Sequence, residues 1–406
     1  MYLKIEGRNV GVSPHSFVFS RIYKKEIRKI LLLLFLWSCT AAQAKDVVIT
    51  VSNATDMQRH EVVSMDARQV MLRLELRAGQ PLQVFGPRGA QVDCQITHDS
   101  LLLIDAAVRP RSSVRFTVRP GEPEPMRTWV TGARYPQRMD DIAWENDRCA
   151  YRVYGPALQA SGEQSFGTDV WVKNTPELVV AERYRLELEE GVSYHVDHGN
   201  GLDAYQVGPT LGCGTPALMM PGDSLVMPWC YKDCEILDNG PLRFTVRLDY
   251  APTQVGRRRV TEHRIIQLDK GSHLNRITVW YDGLKNGTPV AAGFVVHQSD
   301  TTQLRLTEGM ALYADPTDNP DGNGCQIYVG ALFPEDAAVR YLPLARPRAG
   351  ACGHAVGVRR LKAGERYTYY AGAAWSAYDV RSMDEWQLRL EHQRRALADP
   401  LAVTLQ

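Results

Sequence analysis

The chain has 406 residues, 44% of them hydrophobic and 23% charged, and its 47 Lys and Arg balance 46 Asp and Glu to leave a formal charge of +1. That balance offers no electrostatic footprint for DNA or RNA, so nucleic acid is excluded as a partner. One long apolar run in the whole chain excludes a polytopic membrane protein, while the length suffices for one large β-rich domain or two smaller ones.

The apolar run is Ile30 to Trp37, preceded by Lys24, Lys25, Arg28 and Lys29 and followed by Ala42-Gln43-Ala44. A basic flank, a short apolar stretch and a small-x-small exit make a secretory signal peptide of residues 1–44, with residues 1–20 an upstream extension. Eight apolar residues span about 12 Å as a helix, short of a bilayer core of roughly 30 Å, so no transmembrane helix is expected. Cleavage after Ala44 would release a periplasmic or secreted chain. The competing exit is a lipoprotein box, Leu36-Trp37-Ser38-Cys39, with Cys39 lipidated, and the poor fit of Trp37 favours the first.

Beyond the signal, strict alternation dominates. Leu72, Leu74 and Leu76 alternate with Arg73, Glu75 and Arg77; Val114, Phe116 and Val118 with Arg115, Thr117 and Arg119. Leu242 to Tyr250 and Ile277 to Tyr281 repeat the pattern. Period two with one charged face predicts antiparallel strands buried on one side. Asp269-Lys270-Gly271-Ser272 predicts a turn that makes 260–281 a hairpin. Ser382-Met383-Asp384-Glu385 is a capping box, and Met383, Trp386, Leu390 and Leu397 follow at helical spacing before Pro400. The fold class is mainly β: a large antiparallel β-sandwich with a short C-terminal helix, one domain over 45–406, with Gly121–Pro125 the alternative boundary. Seven cysteines follow the signal without metal-site spacing, and they read as mostly buried thiols, with Cys230/Cys234 and Cys325/Cys352 open as pairs.

Residues 134–240 are dense in Trp, Tyr, His, Asp, Asn and Gly, the composition that sugar sites use: aromatic faces for ring carbons and planar polar groups for hydroxyls. In 134–148, Arg134 and Arg138 suit the carboxylate of a uronic acid, Trp144 a sugar face, Asn146 a hydroxyl and Glu145 a proton transfer. A surface loop tied by its own ion pairs accounts for the segment equally well. In 193–205, His195 and His198 sit beside two glycines, Gly199 and Gly201, and near Asp203 and Tyr205, and histidine suits proton abstraction near neutrality. A divalent cation on His195, Asp197, His198 and Asp203 is the alternative, though no HExxH exists and no cofactor is required. Trp229 could stack on sugar or serve the core. Asp315 to Gly324 reads as a solvated loop, lacking the terminal Glu of an EF-hand. Gly372 to Ser376 places Trp375 in core packing.

The phrases RMDDIAWENDRCAYRVYGPAL (138–158), SYHVDHGNGLDAYQVGPTLGCG (193–214), YKDCEILDNGPLRFTV (231–246) and YYAGAAWS (369–376) resemble those of domain-of-unknown-function family 4861, exported proteins of glycan-degrading bacteria. The resemblance covers 45–390. It implies work in polysaccharide utilisation, often on uronate-containing glycans, and supplies no catalytic residue. The pattern also resembles, by fold, the galactose-mutarotase supersandwich, and fold does not decide function.

The expectation is an exported carbohydrate-active enzyme, a lyase or hydrolase of uronate-containing oligosaccharides. His195 or His198 would be the base and Tyr205 or Glu145 the acid. Arg134, Arg138 or Lys173 would hold the carboxylate, with Trp144, Asn146, Asp203 and Trp229 contacting sugar. The alternatives are a non-catalytic glycan-binding protein and a sugar mutarotase or epimerase.

Overall fold

A computed structural model describes residues 46–406, and the predicted signal, with Cys39 and Ala44, lies outside the described residues. Every ladder between the named strands is antiparallel, and the strands form five sheets. Among the described residues no helix is long and apolar enough to cross a membrane.

Two of the sheets build a small sandwich from residues 47–120 and the last strand of the chain. One is ordered Ala402–Leu405, Val47–Asn53, Ser112–Pro120, Leu82–Phe85; the other Arg59–Asp66, Leu101–Val108, Cys94–Ile96. Ile49, Val51, Val84, Leu102, Ala106 and Val118 fill a hydrophobic cluster of their own between them. The expected strand over 71–77 is instead a helix, Ala67–Arg73. The Asp66 carboxylate accepts a hydrogen bond from the Arg68 amide at its start. Ala67, Val70, Met71 and Leu74 recur at helical spacing on the buried side, and Leu72, whose alternation suggested a strand, is exposed.

The larger sandwich sets a nine-stranded sheet against two five-stranded sheets. Phe244, Val246, Leu248, Ile266, Ile277, Val279, Tyr369 and Ala371 of the large sheet meet Trp144, Tyr151 and Val170 of one partner and Phe294, Val296 and Ala355 of the other. The predicted hairpin is present: Arg258–Asp269 pairs with Leu274–Asp282, with Ile266 opposite Ile277. From Val260 on, the buried positions of its first strand alternate strictly, as period two requires. The C-terminal helix, Met383–Ala398, starts where Ser382 accepts from the Glu385 amide, and lays Met383, Trp386 and Leu390 on the opposite face of the large sheet. All seven thiols are free, so neither pair considered from the sequence is joined, and Cys94, Cys149, Cys213 and Cys230 are buried.

Candidate functional site

The site grows from one five-stranded sheet, ordered Gly201–Asp203, Asp169–Lys173, Ala150–Val153, Asp141–Glu145, Thr131–Tyr135. Alternation sends Ile142, Trp144, Tyr151, Val153, Val170 and Val172 into the main core. The intervening positions share the other face, where Asp141, Glu145, Arg152, Asp169, Lys173 and Asp203 lie around a smaller apolar cluster that includes Ala143, Ala150 and Trp171. That face is covered by the helix Val180–Arg185, the turn Leu186–Glu190 and the loop after them. Tyr184 and Tyr194 from this cover pack on Trp171 at ring separations of 5.0 and 4.6 Å.

Two ionic groups lie under the cover. Toward one end, Lys173 Nζ donates to Glu145 Oε2 at 2.6 Å and to the Asn146 carbonyl at 2.6 Å. The same carboxylate accepts from the amides of Val179 and Val180, satisfying the start of the covering helix, which has no side-chain cap of its own. In the middle, Arg152 donates to Asp169 at 2.5 Å and to Asp203 at 2.7 Å, and Asp141 lies 3.6 Å from it. Tyr184 donates to Asp141 at 3.1 Å. One guanidinium thus serves three buried carboxylates.

That imbalance dictates protonation. Burial, reinforced by the charge of Asp169 and opposed by Arg152, pushes the Asp203 carboxyl up to about 8. Burial likewise raises Asp141 to about 6 against the pull of Arg152 and Arg138. A carboxyl kept neutral near pH 7 costs less than a third uncompensated charge in a dry face.

At the rim, Arg138 Nε donates to the Tyr194 hydroxyl at 2.9 Å, and Arg152 reaches the same oxygen at 3.4 Å. The His195 ring lies 4.6 Å from the Tyr194 ring and is 57% exposed. Its Nδ1–H donates to the Asp203 carbonyl at 2.9 Å, which leaves Nε2 as the free lone pair of the neutral ring. Gly201, at the start of the edge strand, has a φ of +99° and would drive a Cβ to 2.1 Å from the Val172 carbonyl, so only glycine brings His195 and Asp203 this close to the sheet. Segments 134–148 and 193–205 therefore meet on one face, through Arg138, Tyr194 and His195.

The other residues singled out from the sequence fall elsewhere. Trp144 is fully buried, stacked between Phe244 and Tyr151 and donating to Asn275, so its ring faces no sugar. Glu145 and Lys173 are sealed in their mutual pair and cannot reach a substrate. Tyr205 is buried, donating to the Gly212 carbonyl, and burial drives its hydroxyl well above 10, unsuited to an acid. Asn146 pins the hairpin turn by donating to the carbonyls of Asp269 and Ser272. His198 is exposed and donates from Nε2 to the Ser193 carbonyl. Arg134 is exposed beside Asp140. Trp229, partly exposed, packs edge-on against Phe166 and donates to the Glu163 carbonyl. Asp315 and Asp318 are buried, and Asp318 accepts from Trp375, so that loop is held and not simply solvated. Among the described residues no group of three or more His, Cys, Asp or Glu has the arrangement to hold a metal ion.

Arg152, Asp169, Asp141 and Tyr194 were not picked out from the sequence. Their signal was available: in Asp141–Glu145, Ala150–Val153 and Asp169–Lys173 the charges alternate with large apolar residues, placing every charge on one face.

A cleft of about 480 Å³ opens between the small sandwich, the hairpin turn and the C-terminal helix, lined by His60, Asp105, Arg148, Lys270, His273 and Arg389 among others. Lys270 and His60 both hold Asp105, at 2.5 and 2.9 Å. Arg148 and His273 both hold Asp379, at 2.8 and 3.1 Å. Burial alone would raise Asp379, but its hydrogen bond from His273 and the neighbouring positive charges hold it down to about 2.

Residues 51–403 match the family described as domain of unknown function DUF4861. The chain belongs to that family. Over 395 residues it is 25% identical to a Formosa agariphila protein called "Uncharacterized protein P7", covering 91% of this chain and 96% of that one. Among solved structures it is similar to a glycosyl hydrolase family 38 protein from Enterococcus faecalis, with a TM-score of 0.50 and 10% identity, covering 89% of this chain and 47% of that one. An α-mannosidase from Enterococcus faecalis V583 gives a TM-score of 0.49 at 10% identity, with 89% and 46% covered. The chain thus spans about half the length of these two structures. At such identity the likeness to the family 38 protein speaks for the fold.

Proposed function

We propose that this DUF4861 protein is an exported carbohydrate-active enzyme that cleaves uronate-containing oligosaccharides by β-elimination at the Arg138–Tyr194–His195 rim. The observation that carries the reading is the meeting of a half-buried arginine and an outward-facing, Asp203-oriented histidine across one tyrosine. In this reading Arg138 pairs with the substrate carboxylate, stabilising the charge that develops as the adjacent C5 proton leaves. His195 Nε2 takes that proton. The C5–H electron pair becomes the C4=C5 double bond as the C4–O bond breaks, and the departing oxygen takes the proton back from the imidazolium. Tyr194, buried between two guanidiniums, acts as a positioning residue. No cofactor is required in this scheme, because Arg138 fills the part a divalent cation would take, and chelation should leave the rate unchanged.

Hydrolysis is the less favoured route, since the carboxyls with raised proton affinity, Asp203 and Asp141, lie under the cover and not at the rim. The test is to incubate the protein with a panel of oligouronates and follow the ultraviolet absorbance of the unsaturated product. Turnover that disappears in His195→Ala and Arg138→Gln is expected; turnover with no absorbing product would replace elimination by hydrolysis, and no turnover would remove the enzymatic reading.

A binding-only protein is the second reading, favoured by the cleft between the two sandwiches. It predicts saturable oligosaccharide binding that Arg148→Ala weakens and His195→Ala leaves intact.

A further inference from the structure

The large sandwich is open at one end, and the residues there have no part in the site above. Thr253–Val255 turns through Gly256 and Arg257 into Arg258–Asp269, pairing Val255 with Arg258. The inward row of that long strand is Val260, Glu262, Arg264, Ile266 and Leu268, all buried, and Arg258 continues this row past the end of the core. Leu284 is buried just beyond the next strand, and Lys285 follows it into solvent. Met219, Met220, Pro221 and Pro289 form the facing wall.

Together they enclose a recess of about 430 Å³ with an apolar floor and three cations at its mouth, and no carboxylate among its lining residues. Such a volume is within the range of roughly 300–1,000 Å³ usual for ligand pockets. None of the Arg257, Arg258 and Lys285 side chains has an ionic or hydrogen-bond partner among the described residues. Cations nearby are treated differently: Arg340 is held by Asp223, and Arg359 by Asp336 and Glu365. Three unpaired cations around an apolar hollow repel one another unless an anion sits between them.

We infer that this mouth is a second binding site, for an acidic glycan chain, separate from the proposed catalytic rim. Guanidinium forks match carboxylates in two-point contact, and the apolar floor suits the carbon face of a sugar ring. A recess also fits a chain end or a bend better than a flat anionic bilayer. The choice of glycan rests on the reading above that the substrate is uronate-containing; the anion-binding geometry does not.

The test is affinity electrophoresis of the full chain through gels containing polygalacturonate, with vesicles of anionic phospholipid as a parallel arm. The wild type should be retarded, less so at high salt. Arg257→Gln/Arg258→Gln/Lys285→Gln should raise the apparent Kd by about tenfold or more, while His195→Ala is retarded like the wild type. Equal retardation of the triple variant and the wild type, no retardation of either, or preference for the vesicles over the polyuronate overturns the inference. Turnover of short oligouronates, followed separately, keeps the two readings apart. If no turnover is found but the triple variant loses retardation, the catalytic reading fails and this one stands.

Discussion

His195 and Asp203 are eight residues apart and do opposite things. His195 is largely in solvent, so His195→Ala should leave the melting temperature nearly unchanged while lowering kcat by about 10²- to 10⁴-fold, the range for a lost general base; an unchanged rate in steady-state assays removes it from the chemistry. Asp203 governs stability. Its folded carboxyl is raised to about 8, so from about pH 4, where the unfolded carboxyl ionises, to about pH 8 the native state holds a proton that the unfolded chain has released. Stability therefore falls as pH rises through that window, and Asp141, raised to about 6, adds to the fall in its lower half. Asp203→Asn should flatten the melting temperature between about pH 5 and pH 8 relative to wild type, as measured by calorimetry. An unchanged slope would mean that the charge imbalance around Arg152 is relieved in some other way.

At the scale of elements, the covering helix Val180–Arg185 is short and lacks an end cap, and the sheet beneath supplies one through Glu145. Glu145→Ala strands the Lys173 ammonium in a dry face and removes that cap together. The expected cost is about 3–5 kcal/mol in urea unfolding, with the loop bearing Tyr194 and His195 losing its support. A cost below about 1 kcal/mol, as for a surface pair, would show the cover to be loosely attached. The same strand shows how far sequence reasoning reached. Alternation in 242–250 and 260–281 was legible because each strand keeps most of its large apolar residues on one face and most of its polar ones on the other. In Asp141–Glu145 both faces are buried, one against the core and one beneath the cover, so its charges read as a surface loop or an open site. Trp144 followed the same error: an aromatic among charges suggested a sugar platform, whereas its neighbours in the fold are Phe244 and Tyr151. Only position parity separated it from Arg152. Segment 71–77 failed for a simpler reason, since leucines spaced by two also fit part of a helical stripe.

For the whole molecule, the small and large sandwiches have separate cores but share polar ties. Lys270 of the hairpin turn reaches Asp105, the Gln95 carboxamide accepts from the amides of Leu242 and Arg243, and His98 meets Asp238 at 2.8 Å. Lys270→Met should loosen this junction and alter the cleft beside it while sparing both cores. The expected result is faster hydrogen exchange at Gly271 to Leu274 with little change in the strands of either core; an unchanged exchange pattern would make the lysine dispensable to the junction. The fold class, the hairpin and the last helix are legible in the residue pattern alone. The charged face is legible only in part: position parity puts its charges on one side of each strand, but that a helix and loop cover this side instead of leaving it to solvent is not written in the strands themselves.

The last strand, Ala402–Leu405, lies beside Val47–Asn53, so the opening strand of the small sandwich waits for the final residues of the chain before its second edge is paired. During synthesis that edge stays unsatisfied while more than three hundred residues are added. Until residues 402–405 are made, this sheet of the small sandwich is one strand short and exposes the free edge of Val47–Asn53. Removing residues 402–406 should make the amides of Val48 to Ser52 exchange rapidly and promote edge-to-edge association, seen by light scattering; a truncated chain that stays monomeric and protected would show that the first strand needs no late partner.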